Sequence, residues 1–344
     1  MTIACYRLPY SDHYTKIESE RSPLILSSIK EIGGQQGYVV APFHNGPIIL
    51  IHPDTITTHT ISGLVPHGAF VWQPTSLLPP LSGFSRCFYQ AERLKEHYEA
   101  AFAAFHDAVT SGTFRKLVLA RTAEVPCEKD PMTLFERACQ MYPRLMIQLF
   151  STEETGTWLI ASPEILLEGQ GDTMHTVALA GTMPYTEGYL EWSEKNKKEQ
   201  HVVEEYILNT LSAFSNDIVK DGPVTMRAGD LAHLRTDFRF HISKGNTLGQ
   251  ILASLHPTPA VCGLPKEAAK QFILDHEGIC REYYSGFAGP VNINDETHLY
   301  VSLRCAKLSE KAELFAGGGI MPDSQCLSEW QETENKMKTI ANVL

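Results

Sequence analysis

The chain has 344 residues, 43% apolar and 20% charged, which suits one large domain or two ordinary ones with a core that needs no disulfide staples. Its net charge of −11 argues against a nucleic-acid partner, which needs a basic face, and makes binding of any anionic substrate depend on local cations or a metal. No apolar stretch approaches the ~20 residues of a membrane span, the start MTIACYRLPYSDHYTK lacks a signal-peptide pattern, and the eight cysteines form no CxxC or zinc-like cluster, so reduced thiols in a cytoplasm are expected.

Residues 1–90 carry short β-like runs (YVVAPF, PIILIHP, GAFVWQP) separated by Gly and Pro, and read as strands and loops. Residues 91–111 have the spacing of an amphipathic helix stopped by Gly112. A strand, FRKLVLARTAEV, and a helix, DPMTLFERACQMY, follow. Next come two β runs, WLIASPEILLEG and MHTVALAGTM, separated by a GQGD turn. EKNKKEQHVVEEYILNTLSAF predicts a long helix ending near Ser215, and KEAAKQFILDHEGICREYY a further helical segment. HLYVSLRCAKL and AELFAGGGI read as a hairpin around Ser309–Lys311, with the AGGG run placed after the second strand. The last predicted helix starts at a capping box of Ser328 and Gln331, with Ser324 as an alternative cap. Antiparallel-looking strand pairs with interspersed helices indicate an α+β sandwich, not a βαβ alternation, and neither GxGxxG nor a P-loop is present.

Several charges fall where apolar residues belong. Val203, Ile207, Leu211 and Phe214 form a helical stripe with Glu199 one turn before it. Glu199 is either a solvated first-turn acid or a buried carboxylate in need of a partner. Alternation puts Lys116, Val118 and Ala120 on one sheet face, so Lys116 either snorkels to water or is desolvated toward the range of a base. Glu164 follows Pro163 at a turn, where acids are usually solvated. Alternation through Tyr300, Ser302, Arg304 and Ala306 gives an outward Arg304 as the plainest expectation. In LSEWQETENKMK, Glu329, Glu332 and Lys336 share one helix side. They are either an exposed face with an i, i+4 ion pair or, with Glu199, the carboxylate set that a hard cation such as Mg2+ takes.

Ten motifs in order resemble the chorismate-utilising enzymes, a family that includes isochorismate, salicylate, anthranilate and aminodeoxychorismate synthases. They are KLVLAR (116–121), ASPEILL (161–167), ALAGT (178–182), EKNKKEQHVV (194–203), HL (233–234), HPTPAVCG (256–263), REYYSGFAG (281–289), SLRCAKL (302–308), FAGGGI (315–320) and EWQETENK (329–336). The resemblance implies a single domain over residues 1–344, with a variable strand-rich part (1–94) and a chorismate-binding core (95–344). It also implies two antiparallel-rich sheets packed face to face with helices outside.

By the same resemblance, Mg2+ would be held by Glu199, Glu332 and Glu329, the last directly or through water. Arg304, Tyr284, Lys336 and the amides around Gly317 would hold the two carboxylates of chorismate, and His233 and Ala260 would line the ring pocket. Glu164 matches the general acid at C4, flanked by Gly181 and Thr182. Ala180 stands where aminodeoxychorismate synthases carry a nucleophilic lysine. Lys116 matches the water-activating base of isochorismate and salicylate synthases, which anthranilate synthases typically lack. The implied activity is Mg2+-dependent isomerisation of chorismate to isochorismate, for menaquinone or siderophore synthesis, with no obligate protein partner. Salicylate synthase or anthranilate synthase component I are the alternatives, the latter calling for an amidotransferase partner. The chain departs from the family at Gln200, commonly His, and at Asn196, often an acid.

Overall fold

The structure is a computed structural model that describes residues 2–61, 87–188, 190–228 and 230–344, with side chains in the first helix from Leu94 onward. The expected run GAFVWQP (68–74) lies outside the described residues. In chain order the elements are β1 (Thr2–Arg7), β2 (His13–Ser19), β3 (Leu24–Leu26), β4 (Gly37–Ala41), β5 (Ile48–Ile51), β6 (Thr55–Thr60), α1 (Cys87–Thr110), β7 (Lys116–Pro126), α2 (Pro131–Met141), β8 (Met146–Thr152), β9 (Gly156–Ser162), β10 (Ile165–Gln170), β11 (Thr173–Pro184), α3 (Glu194–Leu211), β12 (Val219–Ala228), β13 (Leu231–His241), α4 (Leu248–Leu255), β14 (Gly263–Leu264), α5 (Lys266–His276), β15 (Phe287–Val291), β16 (Glu296–Val301), β17 (Cys305–Leu308), β18 (Lys311–Ile320) and α6 (Cys326–Ala341).

The strands form two nine-stranded sheets, in the orders β14-β7-β18-β17-β9-β8-β1-β2-β6 and β12-β13-β11-β10-β16-β15-β4-β5-β3. The registered strand pairs are antiparallel. Both sheets draw on strands from before and after α1, because β1 pairs with β8 and β4 pairs with β15.

Three apolar layers explain the stacking. Tyr38 and Val40 of the second sheet meet Phe150, Trp158 and Phe315 of the first in one buried cluster between the sheets. On the outer side of the first sheet, Leu134 and Phe135 of α2 and Met337 and Ile340 of α6 pack against Leu149, Leu159 and Leu314. On the outer side of the second sheet, Val203 and Ile207 of α3 and Ile251 and Leu252 of α4 pack against Ala178 and Phe238. Each large apolar side chain moved from water into such a layer contributes roughly 1.5–3 kcal/mol. In α1, Tyr98, Phe102, Phe105 and Val109 are buried at helical spacing, and Gly112 ends the helix with φ +79 and its N–H on the Val109 carbonyl.

Two chain crossings between the sheets place the site. The run WLIASPEILLEG is two strands: β9 lies in the first sheet, β10 in the second, and Pro163–Glu164 is the step between them. Beside it, β16 and β17 make the same step at Ser302–Arg304, so the expected continuous strand through HLYVSLRCAKL is broken there. The crossings are laced together by Val301 N–H to the Glu164 carbonyl (3.0 Å) and Ala161 N–H to the Arg304 carbonyl (3.1 Å).

Three further local expectations are corrected. The AGGG run lies inside β18, not after it. The segment after α4 is helical only to His276, because Gly278 takes φ +73 and turns the chain. The N-cap of α6 is Gln325 without a side-chain bond, since Ser324 is drawn inward to accept from Met321 N–H. Among the described residues, no helix is long and apolar enough to cross a membrane, and none of the described cysteines is paired.

Candidate active site

Strand β18 builds the floor, and its glycines leave room for charge. A Cβ on Gly319 would sit 2.1 Å from Glu199 Oε1 and 2.9 Å from Lys116 Cε. A Cβ on Gly318 would sit 3.1 Å from Glu329 Oε2 and 3.6 Å from Glu332 Oε1. One on Gly317 would meet the Tyr284 hydroxyl at 2.8 Å. Only residues without side chains let three carboxylates, an amine and a phenol approach one strand this closely.

Each acid faces a lysine. Lys116, fully buried on β7, has its Nζ 2.9 Å from Glu199 Oε1, a close ion contact without hydrogen-bond alignment. Lys195, one turn before Glu199 on α3, donates to Glu329. Lys336 donates to Glu332 (2.7 Å) and to the Gly317 carbonyl (2.8 Å), so the i, i+4 pair expected on α6 is present and points inward. Burial works to raise the pKa of Glu199, but the charges of Lys116, Lys195 and Lys336 overcome it and hold the pKa below its ordinary value. Glu329 goes the other way: burial and the neighbouring charge of Glu332 raise its pKa against Lys195. Its Oε2 is buried with no hydrogen-bond partner among the described residues. Glu199 approaches β18 at Gly319 and Glu329 with Glu332 at its neighbour Gly318, and the charge of Lys195 lies within reach of all three carboxylates. Among the described residues no three acids, histidines or cysteines close into a metal-binding group.

At the first crossing, Glu164 is buried to 2% exposure, with its N–H on Ser162 Oγ and its Oε1 taking a long bond (3.4 Å) from Thr258 Oγ1. Burial pushes its pKa up from 4.5 to about 8, and the charges of Lys116 and Lys336 only partly counter this. Glu164 is therefore mainly a neutral acid at pH 7.

At the second crossing, Arg304 takes φ +47, a left-handed conformation that a non-glycine residue holds only when its surroundings fix it. It is buried, not outward, and burial lowers its pKa to about 10. Its Nη1 donates to the Ala228 carbonyl (2.9 Å) and its Nη2 to His233 Nε2 (2.5 Å). The Gly181 carbonyl, 3.0 Å from His233 Nδ1, can only accept, so Nδ1 carries the hydrogen and Nε2 is the acceptor. Burial, Arg304 and Lys336 together hold the His233 pKa well below its ordinary value, in keeping with this neutral ring. The Gly181 carbonyl is available because Gly181 (φ +69) is the extra residue of a β-bulge where β11 slips against β13 between Ala180 and Thr182. The family departure at Gln200 has a structural role: its Oε1 accepts from Ala180 N–H (2.8 Å) and its Nε2 donates to the Ala178 carbonyl (3.1 Å), which ties α3 to β11.

Ten of the expected site residues, Glu164, Gly181, Thr182, Glu199, His233, Ala260, Tyr284, Arg304, Gly317 and Lys336, line one cavity between the sheets. Lys116 reaches Gly319, which lines the same cavity, and Glu329 and Glu332 reach its neighbour Gly318. The site thus joins cations and backbone amides suited to carboxylates, a neutral acid at one crossing, and an amine–carboxylate contact at the end of β7. Lys195 and Thr258 escaped sequence reasoning. The helical spacing of Lys195 to Glu199, i to i+4, was the available signal for the first.

The chorismate binding enzyme family matches residues 79–344. The isochorismate synthase EntC of Escherichia coli (strain K12) is 32% identical over 241 residues, covering 66% of this chain and 62% of that protein. The isochorismate synthase MenF of the same strain is 32% identical over 250 residues, covering 69% and 57%. The chain thus spans less than two thirds of the length of these curated relatives. Among solved structures, E. coli MenF, titled the menaquinone-specific isochorismate synthase, superposes with a TM-score of 0.80 at 21% identity, covering 100% of this chain and 89% of that one. A putative 2,3-dihydroxybenzoate-specific isochorismate synthase, DhbC of Bacillus anthracis, gives 0.79 at 21% identity, covering 99% and 95%. Both have the same fold as the two-sheet sandwich found here. With more than half of its length matched and ten ordered motifs gathered around one cavity, the chain belongs to the chorismate binding enzyme family.

Proposed function

We propose that this protein is an isochorismate synthase, an isomerase that moves the ring hydroxyl of chorismate from C4 to C2. The observation that carries the proposal is the pairing of a buried amine, Lys116, with a buried acid, Glu164, whose pKa of about 8 keeps it protonated at pH 7. Such a pair suits concerted proton removal and delivery. Lys116, acting in its unprotonated form, takes a proton from a water molecule as the water oxygen bonds to C2. The ring double bonds shift, and the C4 hydroxyl leaves as water with the proton of Glu164. One water enters and one departs, so the reaction is an isomerisation. An enzyme nucleophile at position 180 is ruled out chemically, since Ala180 offers only a methyl group and its N–H is already held by Gln200.

Arg304 and Lys336, with Tyr284 and the strand amides near Gly317, hold the substrate carboxylates and so fix the ring between base and acid. Arg304 is held in turn by neutral His233, which keeps its second nitrogen on the bulge at Gly181. Glu199, Glu329 and Glu332 would hold Mg2+. Their all-oxygen donor set and the buried, unpartnered Glu329 Oε2 fit a hard cation. Bound there, the ion would supply charge stabilisation at the ring carboxylate. We place the enzyme in the cytoplasm, where free thiols such as the buried Cys5, Cys139, Cys262 and Cys305 stay reduced.

The test is incubation of the purified protein with chorismate and Mg2+, with and without ammonium, followed by chromatography. Isochorismate formed without ammonium supports the proposal. Absence of isochorismate, or anthranilate formed only with ammonium, overturns it, and accumulation of salicylate would assign the two-step salicylate reaction.

A further inference from the structure

Among the described residues, strand β7 presents Lys116 from a sheet edge that is incompletely covered. On one side β18 pairs with it from Leu117 to Pro126. On the other, β14 pairs only with Lys116 and Leu117, and Val118 N–H then bonds to the Cys262 carbonyl (2.8 Å). The ladder is continued by two side chains. Arg281 Nη2 donates to the Val118 carbonyl (2.8 Å), and Ala120 N–H donates to Glu277 Oε1 (2.6 Å). The two side chains bind each other through two parallel bonds, Nε to Oε2 at 2.7 Å and Nη2 to Oε1 at 2.5 Å. Arg281 Nη1 also donates to the Val261 carbonyl (2.7 Å), on the segment that lines the cavity. Both residues are almost fully buried, at 2% and 4% exposure, and the guanidinium lies 4.4 Å over the Phe43 ring.

We propose that the Glu277–Arg281 pair is a positioning clamp for Lys116: it stands in for a missing strand and fixes the β7 edge, and the cavity wall at Val261, in the register that presents the amine. Neither side chain lines the cavity. The clamp rests on the proposed isochorismate synthase activity, with Lys116 as its base. A salt bridge placed only for stability has no need to spend its donors and acceptor on the backbone of the strand bearing the base. Here one carboxylate oxygen and one guanidinium nitrogen do so, and a second guanidinium nitrogen holds the neighbouring cavity segment at Val261. Lysine cannot reproduce the planar fork, and a point ammonium cannot hold Val118, Val261 and Glu277 together.

The test compares R281K and E277Q with the wild type by steady-state kinetics, thermal melting and amide hydrogen exchange. A misplacement of about 1 Å at a reacting group lowers turnover by about 100-fold. R281K is therefore expected to lose between 10- and 100-fold in kcat with KM for chorismate within about threefold of wild type. In E277Q the peptide covering residues 116–121 should exchange at least tenfold faster while peptides of β8 and β9 are unchanged. An R281K enzyme with wild-type kcat overturns the proposal, as does a change confined to KM or to the melting temperature. Unchanged exchange at 116–121 in E277Q also overturns it, and does so even if the wild type fails to convert chorismate, which is the separate failure of the parent proposal.

Discussion

Replacing Gly319 with alanine tests how tightly the floor of the site is built. The added carbon would lie 2.1 Å from Glu199 Oε1, so the carboxylate must retreat by about 1.3 Å to reach ordinary contact at 3.4 Å. The same carbon lies 2.9 Å from Glu199 Cδ and from Lys116 Cε, so both partners of the ion contact are pushed at once. Overpacking a buried site costs roughly 1–3 kcal/mol of stability. An ångström of displacement at the reacting groups costs about 100-fold in rate, about 2.7 kcal/mol of barrier. Gly318→Ala is the internal comparison. Its nearest contact, 3.1 Å to Glu329 Oε2, asks for a shift of only a few tenths of an ångström. Chemical denaturation and chorismate turnover should therefore grade as wild type, then Gly318→Ala, then Gly319→Ala, the last losing at least 100-fold in kcat. Turnover in Gly319→Ala within threefold of wild type would refute the claim that Glu199 and Lys116 must sit where the structure puts them.

Other outcomes follow from the same geometry. The folded-state pKa of Glu164 is raised from 4.5 to about 8, so its contribution to stability is complete below about pH 4.5 and is lost as pH rises through about 8. The wild-type melting temperature should fall between pH 6 and 9 by more than that of Glu164→Gln, and kcat should decline above about pH 8. Equal pH slopes for the two proteins would show that Glu164 is not buried as a neutral acid. Lys116→Ala should abolish turnover while chorismate binding stays measurable by calorimetry, and unchanged turnover would remove Lys116 from the mechanism. Mg2+ should raise the melting temperature of the wild type, as any ligand specific to the folded state does, and EDTA should reverse this. Glu332→Gln should blunt the rise; a shift of wild-type size in that variant would take Glu332 out of the metal set.

Much of the candidate site is legible in the sequence because its residues travel in compact motifs. The spacing of Glu329, Glu332 and Lys336 put them on one face, and that face turned out to point at β18. Lys116 was legible as a candidate because strand alternation placed it among small apolar neighbours. Glu164 was not legible from local chemistry, since a glutamate after a proline is ordinarily solvated. Here Pro163 marks a change of sheet, and residues at that crossing are buried between layers. The burial of Arg304 escapes strand alternation for the same reason: alternation assumes one strand, and the chain leaves its sheet after Val301. Lys195 was hidden in a charged run that reads as solvent-facing helix. The pair of Glu277 and Arg281 was hidden by a helical pattern that continues past Gly278 in sequence but not in space. Such contacts depend on which strand lacks a neighbour, a property of the whole sheet that no local window carries.

The central claim, that a water molecule activated at Lys116 enters at C2 as Glu164 protonates the departing hydroxyl, is tested most directly by turnover of chorismate in 18O-labelled water with mass spectrometry of the product. Isochorismate carrying one 18O at its C2 hydroxyl is the predicted result; isochorismate free of label would contradict it.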